Sequence, residues 1–241
     1  MSALIDYSLH LADSTLILAQ RNAEWCGHGP VLEQDIAITN ITLDLLGQSR
    51  NFYQYAASLI GNGSTEDSLA YLRKEREFKN LLLCELQNGD WGQTILRQFF
   101  FSVYQQLVFG KLQSNSDEQI AAIAAKSLKE INYHVRWSSE WVIRLGDGTE
   151  ESHARMLKAL DALWAYTGEM FVPAPYELIN PEPLSRAWQE KVNAVFNEAG
   201  LPLPGKAFMH TGGKEGKHTE QLGYILTELQ YMQRAYPDSE W

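Results

Sequence analysis

The chain has 241 residues, 45% of them apolar and 21% charged, enough hydrocarbon for the full core of a soluble globular protein. A formal net charge of −10 argues against nucleic acid or an anionic membrane surface as a partner. No apolar run is long enough to span a bilayer, and the N-terminus MSALIDYSLHLADSTL lacks the basic start of a signal peptide. Cys26 and Cys84 form no CxxC, so the expectation is a cytoplasmic protein with unpaired thiols.

Apolar spacing predicts a series of helices. Leu4, Leu11, Ala12, Leu16, Leu18 and Ala19 set a first helix over 4–25, stopped by Cys26-Gly27-His28-Gly29-Pro30. A second covers 31–60 and closes at Gly61-Asn62-Gly63. A third, over 65–85, carries the basic cluster Arg73, Lys74, Arg76 and Lys79. After the turn Asn88-Gly89-Asp90, a fourth covers 91–113 and contains the block FFFSVY. Ser116 with Gln119 reads as a capping box. It opens a central helix that runs to 145 and ends at Gly146-Asp147-Gly148. A sixth helix spans 150–171, and the proline-rich VPAPYELINPEP is an extended connection. A helix over 184–199, the long loop LPLPGKAFMHTGGKEGK and a last helix over 219–235 complete the chain. No stretch alternates as a strand. The expected class is all-α: one domain, with an antiparallel helical bundle in 1–171 and additional C-terminal helices in 172–241 wrapped around it. Seven Trp and eleven Tyr suit wide helix–helix interfaces, within the chain or between chains.

Two stretches, 38–55 and 124–145, look like the metal-bearing helices of a di-iron bundle. In that architecture each such helix carries Glu-x-x-His, which puts both ligands on one inward face. Here the pattern positions hold Leu45 and Gln48 in the first helix, and Ile131 and His134 in the second. Leu45 and Ile131 are apolar, and Gln48 is a neutral amide. A core histidine satisfied by a neighbouring carboxylate or carbonyl accounts for His134. Glu24 is where the first helix could offer a carboxylate. Asp44 and Glu130 lie nearby, each turned about 100° from the ligand position. Literal Glu-x-x-His occurs at Glu150/His153 and Glu215/His218, but at loop–helix junctions in polar surroundings. The site is therefore expected to be degenerate, with no catalytic residue and no metal ligand.

Three further patterns bear on function. Asn40, Asp44, Gln48, Asn51 and Tyr55 form a polar line, either a solvated face or a hydrogen-bonded strip against another helix. GGKEGK fails as a phosphate loop: its spacing is short, His218 replaces Ser/Thr and no strand precedes it. With Lys206, His210, Lys214 and Lys217 it reads as a solvated loop or a basic contact loop. The cluster Arg73 to Lys79 reads first as a charged helix face. Its sign opposes that of the chain, so Arg76 and Lys79 are candidate contacts for a partner or for a coenzyme A tail.

RNAEWCGHGPVLEQDIAITNITLDLLGQSRNF, KSLKEINYHVRWSSEWVIRLGDGT and TGGKEGKHTEQLGYILTELQYMQR together carry a resemblance. From Tyr7 to Trp241 the chain resembles the C-subunit family of the bacterial phenylacetyl-CoA 1,2-epoxidase. The related catalytic A subunits have Asp-Glu-Ala-Gly-His where Asp44-Leu45-Leu46-Gly47-Gln48 stands here. They also have a Glu-x-x-His ending where His134 stands. The resemblance implies a ferritin-like fold and a structural, non-catalytic subunit without a cofactor of its own. It implies a di-iron A subunit as partner, in a heterodimer or higher heteromer with a small B subunit. It also implies an NADPH-dependent reductase subunit with FAD and iron–sulfur, and a role in aerobic phenylacetate catabolism. The alternative is a stand-alone di-iron oxygenase or ferritin-type enzyme, which needs carboxylates at 45 and 131. In the leading reading, Leu45 and Ile131 fill the former ligand volume. Gln48 and His134 then share a hydrogen bond, direct or through one neighbour, with Glu24 or Glu130 as third member.

Overall fold

The computed structural model describes residues 2–237 and 239. Its helices are α1 (Ser2–Ala23), α2 (Leu32–Ile60), α3 (Glu66–Tyr71), α4 (Leu82–Glu85), α5 (Trp91–Leu112), α6 (Glu118–Gly146), α7 (Glu150–Trp164), α8 (Leu184–Glu198), α9 (Glu220–Leu229) and α10 (Tyr231–Ala235). No strand occurs among the described residues, so the all-α class holds. Both thiols are free, Cys26 exposed and Cys84 buried.

Four long helices form the bundle. α1 and α2 pack along each other across the short connection 24–31, which makes them an antiparallel hairpin; the Ser49 hydroxyl donating to the Ala12 carbonyl and the Tyr53 hydroxyl to Asp13 tie them together. α5 and α6 are also antiparallel. Trp91 at the start of α5 meets Trp137 and Trp141 near the end of α6, and Gln106 further along meets Asn132. The two hairpins are joined by a long crossover, residues 61–90, the connection that distinguishes ferritin-like bundles from simple up-down ones. They meet face to face along α2 and α6. Buried Phe52, Phe99, Phe100 and Phe109 help fill the core, and Trp188 of α8 extends it, its indole N–H donating to the Phe100 carbonyl.

The crossover departs from the single helix expected over 65–85. It breaks into α3, a 3-10 turn at Glu75–Glu77 and the short α4. Side chains from elsewhere take the amides that a continuous helix would use. Lys79 N–H donates to Asp13, Leu81 N–H to the Ser14 hydroxyl and Leu82 N–H to Glu169, at 2.8, 3.2 and 2.7 Å. Arg73 turns inward to ion-pair with Asp13, and both side chains are buried. The cluster Arg73 to Lys79 is thus not one charged helix face.

Other boundaries shift for local reasons. Asp117, not Ser116, caps α6, accepting from Ile120 N–H at 2.9 Å. Its second oxygen accepts from the Tyr55 hydroxyl, so one carboxylate both caps α6 and ties it to α2. The helix expected over 150–171 stops at Trp164, followed by a 3-10 turn over Gly168–Phe171. The last predicted helix divides at Gln230, whose buried amide donates to the Ala70 and Arg73 carbonyls of the crossover. Of the C-terminal wrap, residues 238, 240 and 241 lie outside the described residues.

Candidate functional site: a remodelled bundle centre

α2 and α6 are stitched by polar contacts in strict antiparallel order. Gln34 Oε1 accepts from the indoles of Trp137 and Trp141, His134 pairs with Asp44, Gln48 with Glu130 and Tyr55 with Asp117. Of the polar line on α2, Asp44, Gln48 and Tyr55 therefore form a hydrogen-bonded strip against α6, while Asn40 is exposed and Asn51 half-buried. Burial, followed by the hydrogen bond to Asp117, pushes the Tyr55 hydroxyl up to about 12 and keeps it a donor.

At the middle of this seam lie the four residues of the degenerate pattern. Leu45 and Ile131 are fully buried and belong to the hydrophobic core. Gln48 Nε2 donates to Glu130 Oε2 at 2.9 Å, and Gln48 Oε1 accepts from Gln105 Nε2 at 2.8 Å. His134 is fully buried, with Nε2 3.0 Å from Asp44 Oδ2. A carboxylate only accepts, so Nε2 carries the proton. His134 Nδ1 and Gln105 Oε1 find no partner among the described residues.

This pairing corrects the expected Gln48–His134 bond. The two side chains are satisfied by different carboxylates, Glu130 and Asp44, each one residue before the Glu position of the pattern. That offset is too large for a ligand yet right for a side chain reaching around its own helix. Glu24 takes no part: it lies at the other end of α1, held by Arg21 and Asn88. Gln105 was missed by pattern reasoning. Its signal was the inward polar line Gln98, Ser102 and Gln105 on α5, at helical spacing and fully or nearly fully buried.

The donor set decides what the centre can hold. The His134–Asp44 pair has the posture of a metal-binding imidazole, with the outer ring nitrogen on a carboxylate and the inner one bare. Beyond that pair, the positions that would supply hard oxygen ligands carry hydrocarbon, and the second imidazole position carries an amide already bonded on both sides. These residues do not fit a di-iron centre. No group of three or more His, Cys, Asp or Glu side chains is arranged to hold a metal among the described residues.

The two literal Glu-x-x-His pairs are structural. His153 Nδ1 lies 2.7 Å from the Gly146 carbonyl oxygen. Glu215 pairs with Lys217 at the surface, while His218 turns inward to Glu85. GGKEGK is not a solvated loop either: Lys214 is buried, its ammonium donating to Glu177 at 2.8 Å and the Val172 carbonyl at 2.9 Å. Of the two candidate ligand contacts, Lys79 already faces Asp6 at 3.6 Å and the Tyr176 ring at 4.9 Å. Arg76 is exposed.

Comparison with known proteins adds a relationship to this geometry. The family model described as "Phenylacetic acid catabolic protein" matches residues 1–241. A curated relative, the C subunit of the 1,2-phenylacetyl-CoA epoxidase of Escherichia coli (strain K12), is 46% identical over 249 aligned positions, covering all of both chains.

The two hydrogen-bonded sets should behave separately. His134→Ala should lower the unfolding free energy by about 1–3 kcal/mol, through a void and a lost partner for Asp44. In double-mutant cycles by denaturant unfolding, Gln48 should couple to Gln105 by more than about 0.5 kcal/mol, and to His134 by less. The reverse order would contradict the assignment of partners.

Proposed function

Because the chain belongs over its whole length to the phenylacetic acid catabolic protein family, we propose that it is the structural, non-catalytic subunit of a phenylacetyl-CoA 1,2-epoxidase. It works in cytoplasmic, aerobic phenylacetate catabolism. Its partners in this reading are a di-iron A subunit, a small B subunit and an NADPH-dependent reductase bearing FAD and iron–sulfur. The observation that carries the reading is the bundle centre itself. Hydrocarbon stands at 45 and 131, and the amide of Gln48 is locked between Gln105 and Glu130. A stand-alone di-iron oxygenase or ferritin-type enzyme would need oxygen ligands where Leu45 and Ile131 lie in the core. The relative's name, which makes that protein one subunit of an epoxidase, supports an assembly rather than a solitary enzyme. Among the described residues no helix is long and apolar enough to cross a membrane.

The chain's own part is mechanical. Its α2–α6 seam and aromatic core give a rigid bundle that keeps its shape without metal ligation. Reconstituting the epoxidase from its subunits should require this chain. His134→Ala, once assembled, should turn over within about twofold of the parent, because the imidazole touches no reacting atom. A collapse of turnover in an intact assembly would overturn the non-catalytic role.

The coenzyme A contact is a separate proposal, resting on the exposed Arg76 guanidinium and on Lys79 three residues further on. Arg76→Glu, alone and combined with Lys79→Glu, should raise the apparent KM for the acyl-CoA several-fold while leaving assembly intact. An unchanged KM would make both residues plain surface charges.

A further inference from the structure

The Gly-rich stretch 211–219 is a strap laid across the crossover. A Cβ on Gly213 would lie 2.3 Å from the Asn80 carbonyl oxygen, and one on Gly216 would lie 2.3 Å from that of Arg76. Only glycine lets the two backbones approach so closely. Glu169 accepts from the amides of Gly212 and Gly213, both at 2.7 Å. Lys214 plugs inward against Glu177.

The far end of the strap is held by His218, whose side chain is fully buried, as is that of its partner Glu85. His218 Nδ1 lies 2.9 Å from Glu85 Oε2, and Nε2 lies 2.9 Å from the Phe78 carbonyl oxygen. The Glu85 carboxylate also accepts from Thr219 N–H at 2.6 Å and Asn80 Nδ2 at 2.8 Å. Both ring nitrogens therefore face acceptors. A neutral imidazole has one N–H and one lone pair, so it would set that lone pair against one acceptor. Only the imidazolium donates to both.

The surrounding charges act in both directions. Asp13 of α1 adds negative potential, while Arg73 neutralises Asp13 and Arg21 donates to the Glu85 carbonyl. Lys79 lies on the crossover near Asp6, Glu215 and Lys217 pair on the strap, and Glu220 opens α9 in solvent. Burial works against the charged ring. Glu85, followed by the Phe78 carbonyl and Asp13, outweighs it, so His218 titrates above the ordinary 6.5.

We propose that residues 211–219 are a pH-dependent latch: the His218 imidazolium fastens the strap, and the start of α9 behind it, onto the crossover, and loss of one ring proton releases them. The departing proton goes to solvent, and the neutral ring keeps only one N–H. Either the Glu85 carboxylate or the Phe78 carbonyl is then left facing a lone pair. Because the folded pKa is raised, the stabilisation is complete below the unfolded value of about 6.5 and is lost as pH rises through the folded value.

Amide hydrogen exchange on the full chain between about pH 6 and 10, normalised to the unfolded-chain rate, tests the latch. Protection over 211–219 and the first turn of α9 should fall at least tenfold across one titration step, while α5 keeps its own. Ring-nitrogen NMR of the parent chain should show His218 protonated at both nitrogens at neutral pH. His218→Gln should exchange its strap rapidly at every pH, with no step. A single protonated ring nitrogen at neutral pH, or strap protection without a step, would overturn the proposal. If His218→Gln does not fold, the parent's ring spectrum decides alone.

Discussion

A polar side chain sealed inside a helical bundle is costly to leave unpaired, and that cost shapes the α2–α6 seam, the crossover and the strap. Leaving a buried donor or acceptor unpaired costs about 1–3 kcal/mol. The seam between α2 and α6 answers with five hydrogen bonds from four α2 residues in antiparallel order, which fix how the two hairpins register. The crossover answers with Asp13, a fully buried carboxylate that accepts from Tyr53, Arg73 and the Lys79 amide. A buried ion pair of this kind contributes little net stability over hydrocarbon, yet losing one partner is costly. Its role is to pin the crossover to α1 and α2.

The centre of the bundle follows the same rule. Leu45 and Ile131 put hydrocarbon where a di-iron bundle would carry oxygen ligands. The groups left behind divide into two sets: Gln48 with Glu130 and Gln105, and His134 with Asp44. The histidine keeps the outer half of a metal-binding geometry, its ring oriented by a carboxylate. The inner half, where oxygen ligands would converge, is gone. A bundle that holds itself together in this way fits the supporting role proposed above.

The long helices were legible in the sequence because apolar spacing repeats over many turns, and α2, α5 and α6 fall within a few residues of their predicted bounds. Positions 45, 48, 131 and 134 were marked in the sequence as one inward set, and Leu45, Gln48, Ile131 and His134 are indeed buried on the facing helices α2 and α6. The crossover was not legible, because its amides are claimed by Ser14 and Glu169, residues far away in the chain. The partner choice at the centre was hidden too. Helical geometry excludes Asp44 and Glu130 as inward ligands, but it does not show that their side chains reach around to His134 and Gln48. The strap looked solvated because Lys and Gly dominate it. Nothing local reveals that Glu177 and Glu85 wait inside for Lys214 and His218.

The central claim is that this chain's bundle centre is closed by packing and hydrogen bonds and is not a site of metal chemistry. Anomalous diffraction at the iron edge, from iron-supplemented crystals of the chain alone and of the epoxidase assembly proposed above, tests it most directly. The account predicts no anomalous peak beside His134 Nδ1 in this chain in either crystal. An iron peak at that nitrogen in this chain would contradict it.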